Sequence, residues 1–202
     1  MPDAGLNALN LRNGPTVASV NVGTAREVLV GGRRTTSAIA KRAVSGAVAV
    51  HRLGLEGDEQ ADPGLHGGLA KAVYAYPGEH YAFWQTVRAQ ARVALWDEAL
   101  EPGALGENLT LAGLLEGDLW IGDRLRLPRC VLAVSEPRFP CAKFAAAMGF
   151  AQAVGLMVQS GYCGAYLAVI EAGTVSAGDA IELIPGPREV GVRELFKARA
   201  RG

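Results

Sequence analysis

Three side chains in one short run have the chemistry to bind or attack: Arg138, Cys141 and Lys143, within Ser135-Glu136-Pro137-Arg138-Phe139-Pro140-Cys141-Ala142-Lys143. Two prolines stiffen the connection, and the thiol falls where a helix is expected to start. A helix N-terminus and nearby cations both stabilise a thiolate, and a thiolate serves as a nucleophile or as a soft metal ligand. The competing reading is that Cys141 is a small buried hydrophobe. Cys130 lies in an apolar strand and reads as core. Cys163, between Tyr162 and Gly164, reads as structural.

A second run, Gly54-Leu55-Glu56-Gly57-Asp58-Glu59-Gln60 followed by Leu65-His66-Gly67-Gly68, offers backbone amides to an anion or close approach to a cofactor. It matches neither a phosphate-binding loop nor a dinucleotide fingerprint. Asp58 and His66 could join a metal site, scaffold the loop by hydrogen bonds, or contact a cofactor. Third, Thr35-Thr36-Ser37-Ala38-Ile39-Ala40-Lys41 sets hydroxyls beside a lysine, as a phosphate needs or as a solvated loop has. Gly106-Glu107-Asn108-Leu109 is a turn entering a strand.

The elements that must position these groups are short. Strands are expected at 16–22, 26–30, 72–76, 130–134 and 166–170. Ala43-Val44 and Ala47 to Val50 flank Ser45-Gly46 as a hairpin. Residues 51–70 read as a long loop. Pro77 opens a helix to about Gln90, with Tyr81, Trp84, Val87 and Arg88 on one face. A second helix is expected near 142–158, and 189–198 fits either a strand or a terminal helix. Leu119 to Leu127 and Val175 to Leu183 echo each other, each with a Gly-Asp corner feeding a strand. The sum is a mainly β (α+β) chain forming a closed or partly closed β-barrel with peripheral helices. Residues 1–15 are read as a flexible N-terminal arm and 16–202 as one domain.

Composition bounds the function. The chain has 202 residues, 20 basic and 20 acidic, with hydrophobic residues at 50%. Disorder is excluded, and the even charge argues against generic binding to nucleic acid or anionic membrane. Three cysteines suit a reducing cytosol rather than a disulfide framework. The uncharged stretch Phe144–Ile170 is broken by four glycines and two glutamines, and reads as a buried helix and strand rather than a membrane span. With no signal peptide visible, the expectation is a cytoplasmic protein.

Taken in order, Ser37 to Lys41, Leu53 to Ala61, His66-Gly67-Gly68, Tyr76-Pro77 with Glu79-His80-Tyr81, Gly106 to Leu109, Ile121-Gly122-Asp123, Pro137-Arg138 with Pro140-Cys141, and Gly173 with Val175 to Ala177 resemble the MOSC domain, the C-terminal domain type of molybdenum-cofactor sulfurases. The stand-alone bacterial YiiM type is the nearest form. The resemblance covers about residues 35–185. It implies a β-barrel that binds molybdenum cofactor (molybdopterin), with Cys141 as the protein ligand to molybdenum. It places Ser37 and Lys41 near the pterin phosphate and turns Arg138 and Asn108 toward the cofactor. His66, Gly67 and Gly68 would line the pocket. Cys163 receives no role. Members of the type carry a helical extension after the barrel, thought to serve partner or electron-transfer contacts, where this sequence stops at Gly202.

The activity implied is an oxidoreductase that removes oxygen from N-hydroxylated small molecules, with Cys141 and Arg138 at the reacting centre. Electrons would come from an external flavin or iron–sulfur protein, since no such motif is present here. The alternative is a non-catalytic carrier that delivers the cofactor or its sulfur, with Cys141 as a transient persulfide. A third reading is a barrel hydrolase or small-molecule binder using Asp58, His66 and His80 around another metal.

Overall fold

The structure is a computed structural model that describes residues 14–61 and 67–200. His66 and residues 1–13 of the expected arm lie outside the described residues. Thirteen strands run in chain order: β1 (Thr16–Val22), β2 (Arg26–Val30), β3 (Arg33–Ser37), β4 (Arg42–Ala43), β5 (Val48–His51), β6 (Gly54–Leu55), β7 (Val73–Pro77), β8 (Leu109–Ala112), β9 (Arg124–Leu127), β10 (Cys130–Pro137), β11 (Ala165–Glu171), β12 (Gly173–Val175) and β13 (Glu182–Ile184). Four helices interrupt them: α1 (Tyr81–Gln90), α2 (Ala142–Met148), α3 (Ala153–Ser160) and α4 (Val192–Ala200).

Eight strands form one sheet in the order β13-β9-β10-β11-β7-β8-β1-β4. It curls until the segment before β13 meets the start of β1. There the Val17 amide donates to the Asp179 carbonyl at 2.9 Å, and the Gly178 and Ile181 amides donate to the Val17 and Pro15 carbonyls at 2.7 and 2.8 Å. The result is a mainly β, partly closed barrel with helices at its periphery, as expected. The Gly-Asp echo has a structural cause. Asp123 accepts the Trp120 amide at 3.1 Å and Asp179 accepts the Ser176 amide at 2.8 Å, so both corners are the same turn. The strands they feed, β9 and β13, pair with each other.

Within the eight-stranded sheet, only the β7–β8 pair is parallel. A parallel pair needs a crossover, and α1 lies in it. Every residue of both strands is buried, as such strands require. Helix α1 packs Tyr81 and Trp84 into the core, where the Trp84 indole donates to the Tyr76 hydroxyl at 2.6 Å. Phe144 of α2, Met157 of α3 and Phe196 of α4 are likewise fully buried. Each such side chain contributes about 1.5–3 kcal/mol.

Four expectations are corrected. The hairpin at 43–50 does not form: β4 pairs with β1, whereas β5 pairs with β6 and β12. Hairpins form instead at β5–β6, inside the expected 51–70 loop, and at β2–β3, turning at Gly31-Gly32, so Thr35 and Thr36 lie in a strand instead of a loop. The helix near 142–158 is two helices, because Gly149 takes a left-handed conformation (φ 85°) that caps α2. Pro77 closes β7 rather than opening α1; a short 3-10 turn, Gly78–His80, intervenes. The ambiguous terminus is helical, as α4. Among the described residues, no helix is long and apolar enough to cross a membrane.

The approach to β8 holds an unforeseen buried carboxylate. Glu107 has no exposed surface and accepts from the amides of Gly103 (2.8 Å) and Leu105 (3.1 Å) and the hydroxyl of Thr110 (3.0 Å), and from the Tyr81 hydroxyl of α1. Burial pushes its carboxyl above the ordinary range, and these donors oppose the rise. Glu107→Ala leaves three buried donors, the Leu105 amide and the Tyr81 and Thr110 hydroxyls, without an acceptor, while the Gly103 amide keeps the Tyr81 hydroxyl at 3.2 Å. At about 1–3 kcal/mol each, with water recovering part, the expected loss in chemical denaturation is roughly 3 kcal/mol or more; a loss below about 1 kcal/mol would contradict this role.

Candidate functional site

An open pocket of about 610 Å³, counting solvent at its mouth, lies where β3, β7, β11 and the start of α2 converge. Ser37, Lys41, Asn108, Arg138 and Cys141 all line it, although they are scattered over more than half of the sequence. Asp58, Lys71, Lys143, Tyr74 and Tyr166 complete its polar wall. Gly67 and Gly68 are described but do not line it; the Gly68 amide donates to Gln60 Oε1 at 2.9 Å and so ties the loop that does.

Residues 38–41 form a strap between β3 and β4. Two glycines let the 103–108 loop press against it. A Cβ at Gly103 would sit 2.9 Å from the Lys41 backbone, and one at Gly106 would sit 2.7 Å from Ile39 Cγ1. Both have φ near +90°, which side-chain-bearing residues rarely adopt. Ser37, at the end of β3, is buried, and its hydroxyl accepts the Ile39 amide at 3.3 Å.

Arg138 follows β10 and is 4% exposed. Its guanidinium lies 5.4 Å from the Tyr74 ring and 4.7 Å from the Phe144 ring, within cation–π range, and reaches Met157 Sδ at 3.7 Å. Among the described residues, no Asp or Glu pairs with it. Burial works against its charge, but Tyr74, Tyr166 and Cys141 outweigh burial and keep the guanidinium protonated. Burial also pushes both tyrosine phenols above their ordinary range, against the pull of Arg138.

Cys141 is the residue before α2, half-buried, and of the three thiols it alone lines the pocket. Cys130 is buried and its thiol is pushed up to about 11 by desolvation, reinforced by Asp179. Cys163 is fully buried, donates to the Gly164 carbonyl at 3.3 Å, and is also raised by burial. Both fit their structural readings.

Asn108 is more constrained than expected. Its side-chain carbonyl accepts the Tyr74 amide at 3.0 Å, and its amide donates to the Asn21 carbonyl at 3.3 Å and Asp58 Oδ2 at 2.8 Å. The metal site around Asp58, His66 and His80 is not supported. Asp58 is paired with Lys41, and His80 Nε2 with Glu116 at 2.8 Å, while His66 lies outside the described residues. Among the described residues, no three His, Cys, Asp or Glu side chains come together for a metal. Sequence reading missed the Lys41–Asp58 pair, since no local pattern links residues 17 apart. It also gave Glu107 no role of its own, although this carboxylate immediately precedes a strand rich in leucine.

The MOSC domain family profile matches residues 62–182 of this chain. YflK of Bacillus subtilis is 41% identical over 169 residues, 84% of this chain and 73% of that protein. YiiM of Escherichia coli is 38% identical over 158 residues, 78% of this chain and 68% of its own length. A Gibberella moniliformis protein named Reductase is 33% identical over 185 residues, 89% of this chain but 32% of that protein. The crystal structure of YiiM from Geobacillus stearothermophilus superposes with a TM-score of 0.72 at 28% identity, covering 92% of this chain and 84% of that one. A profile match over more than half of the chain, relatives aligned along most of its length and a shared barrel together show that it belongs to the MOSC domain family, with a YiiM-like fold.

Proposed function

We propose that this protein binds molybdenum cofactor in the pocket and reduces N-hydroxylated compounds with electrons from a separate flavin or iron–sulfur protein. The observation that carries the reading is one juxtaposition: a half-buried thiol, Cys141, beside a buried guanidinium, Arg138, that has no carboxylate partner among the described residues. A buried cation with no carboxylate beside it remains costly, and an anionic ligand is the group that would complete the wall. A thiolate suits a soft metal, and hydroxyl, ammonium and guanidinium donors suit a phosphate. The donor set therefore fits a phosphorylated, metal-bearing pterin. The family association with molybdenum cofactor and the name of the fungal relative point the same way.

When bound, the cofactor supplies a metal that accepts oxygen and passes electron pairs. The chain's residues hold it. Cys141 offers Sγ as the protein ligand; Ser37 and Lys41 face the anionic end; Arg138 supports negative charge beside the thiol. The overall reaction is R–NHOH + 2 e⁻ + 2 H⁺ → R–NH₂ + H₂O, with the N–O bond broken and the external donor oxidised.

The first experiment is molybdenum and pterin content per chain, after expression in a host that makes the cofactor. Wild type is expected to hold close to one of each, and Cys141→Ala to stay folded but lose the metal. Both proteins empty under cofactor-rich conditions would refute the reading. Arg138→Leu removes the buried charge without stranding another and is expected to cut pterin retention about tenfold, one lost charge-assisted contact. With a competent reductase, loaded wild type is expected to convert hydroxylaminopurine or an amidoxime to the amine or amidine; loaded yet inactive protein leaves only the carrier alternative.

A further inference from the structure

Asp58 sits in the pocket wall with a side chain 5% exposed, and it ties together four parts of the chain. Oδ1 accepts the Gly23 amide at 2.9 Å, just after β1, and the Lys41 ammonium of the strap. Oδ2 accepts the Asn108 side-chain amide at 2.8 Å, and Asn108 is bonded in turn to Tyr74 of β7 and Asn21 of β1. Two of the three donors, the Gly23 amide and the Asn108 side chain, belong to groups held by other contacts. Lys41 is as closed in as its partner, with 7% of its side chain exposed, so the pair is built into the wall instead of lying on a surface.

We propose that Asp58 is the positioning residue of this pocket: it holds the Lys41 ammonium at one place in the wall, charged, as the contact for an anionic ligand group. This rests on the reading above in one respect, that the ligand is anionic. A lysine has a flexible four-carbon stem and is readily neutralised on burial. Unsupported at this site it would lose both aim and charge. A carboxylate fixed by two other donors supplies both. It also leaves the ammonium two N–H bonds for a ligand, because a lysine has three.

The electrostatics agree in sign. Burial lowers the Lys41 pKa from its ordinary value, while Asp58, by charge and hydrogen bond, and then Glu107 raise it. The other charged or titratable groups sharing the pocket are Glu59, Lys71, Arg138, Lys143, Cys141, Tyr74 and Tyr166. Removing the Asp58 charge leaves burial less opposed, so Lys41 deprotonates at lower pH. Anion binding through Lys41 is present below that pKa and lost as pH rises through it. In Asp58→Asn the loss therefore begins at lower pH than in wild type.

The test uses the full chain without cofactor and inorganic phosphate as the probe, with dissociation constants measured from pH 6 to 10. The Lys41 ammonium is followed in parallel by side-chain NMR. Asp58→Asn is expected to lose phosphate affinity with a midpoint about one pH unit below that of wild type, about a tenfold deficit above both midpoints, and to bind nearly as well as wild type at pH 6. The Lys41 signal is expected to titrate correspondingly lower. Adding Lys41→Arg to Asp58→Asn is expected to restore affinity above the midpoint, because a guanidinium stays protonated. An unchanged Lys41 titration, an affinity loss equal at all pH values, or wild type that binds no phosphate overturns the proposal. Should Asp58→Asn fail to fold, the double variant Lys41→Met/Asp58→Asn removes both charges together and keeps a side-chain oxygen for the Gly23 amide; it is expected to fold and bind no phosphate, and wild-type affinity in it also overturns the proposal. Protein that never holds molybdenum or pterin, yet shows the Asp58-dependent shift of Lys41, defeats the cofactor reading and leaves this one standing.

Discussion

At the entry to β8, two consecutive polar side chains turn into the protein instead of out to water. Successive residues of an extended chain point to opposite sides, and here both sides are interior. Glu107 gathers four donors from the 103–105 loop, α1 and β8 itself. Asn108 bonds to β1, to β7 and to Asp58. A buried carboxylate or amide is tolerable only when saturated with hydrogen bonds. Satisfying these two fixes the spacing of β1, β7 and β8 and the pose of the loop that presses on the strap. The pocket inherits its shape from that requirement.

Its chemistry depends on an uneven distribution of burial. Cys130 and Cys163 are enclosed in apolar surroundings that disfavour their thiolates, whereas Cys141 is left half-open at a stiff, proline-flanked turn. Arg138 is deeper than Cys141, backed by the faces of Tyr74 and Phe144 and not by a carboxylate. An aromatic backing keeps a cation in place without neutralising it, so its charge remains available to a ligand. Lys41 is handled differently: a carboxylate supports it. The two cations thus enter the same wall with different partners.

Much of this was legible in the chain. Alternating apolar residues, glycine corners and prolines located most strands, and the two Gly-Asp corners anticipated equivalent turns. The run around Cys141 marked a thiol among cations before any fold was known. What escaped was non-local. β4 and β5 flank a good turn, yet β4 pairs with β1, and β5 with its neighbour β6 and the distant β12. Gly149 reads as one more glycine within a helical run until its left-handed backbone ends α2. Asp58 looked like a loop acid or a metal ligand, because its three donors come from residues 23, 41 and 108. Local pattern cannot report a partner that only the folded chain brings near.

The seam of the barrel bears on how the molecule is made. Residues 15–17 find their partners at 178–181, almost the whole domain later. During synthesis β1 must therefore wait, one side of its first residues unpaired, until residues 178–181 have left the ribosome. Such long-range closure is entropically slow, and an unpaired strand edge invites association with other chains. Of the neighbours β1 meets sooner, β8 pairs along its other edge, and β4 alone occupies the far end of the edge that waits. The short pairing of β4 thereby acquires a second importance, as temporary cover for a strand whose final partner comes much later in the chain.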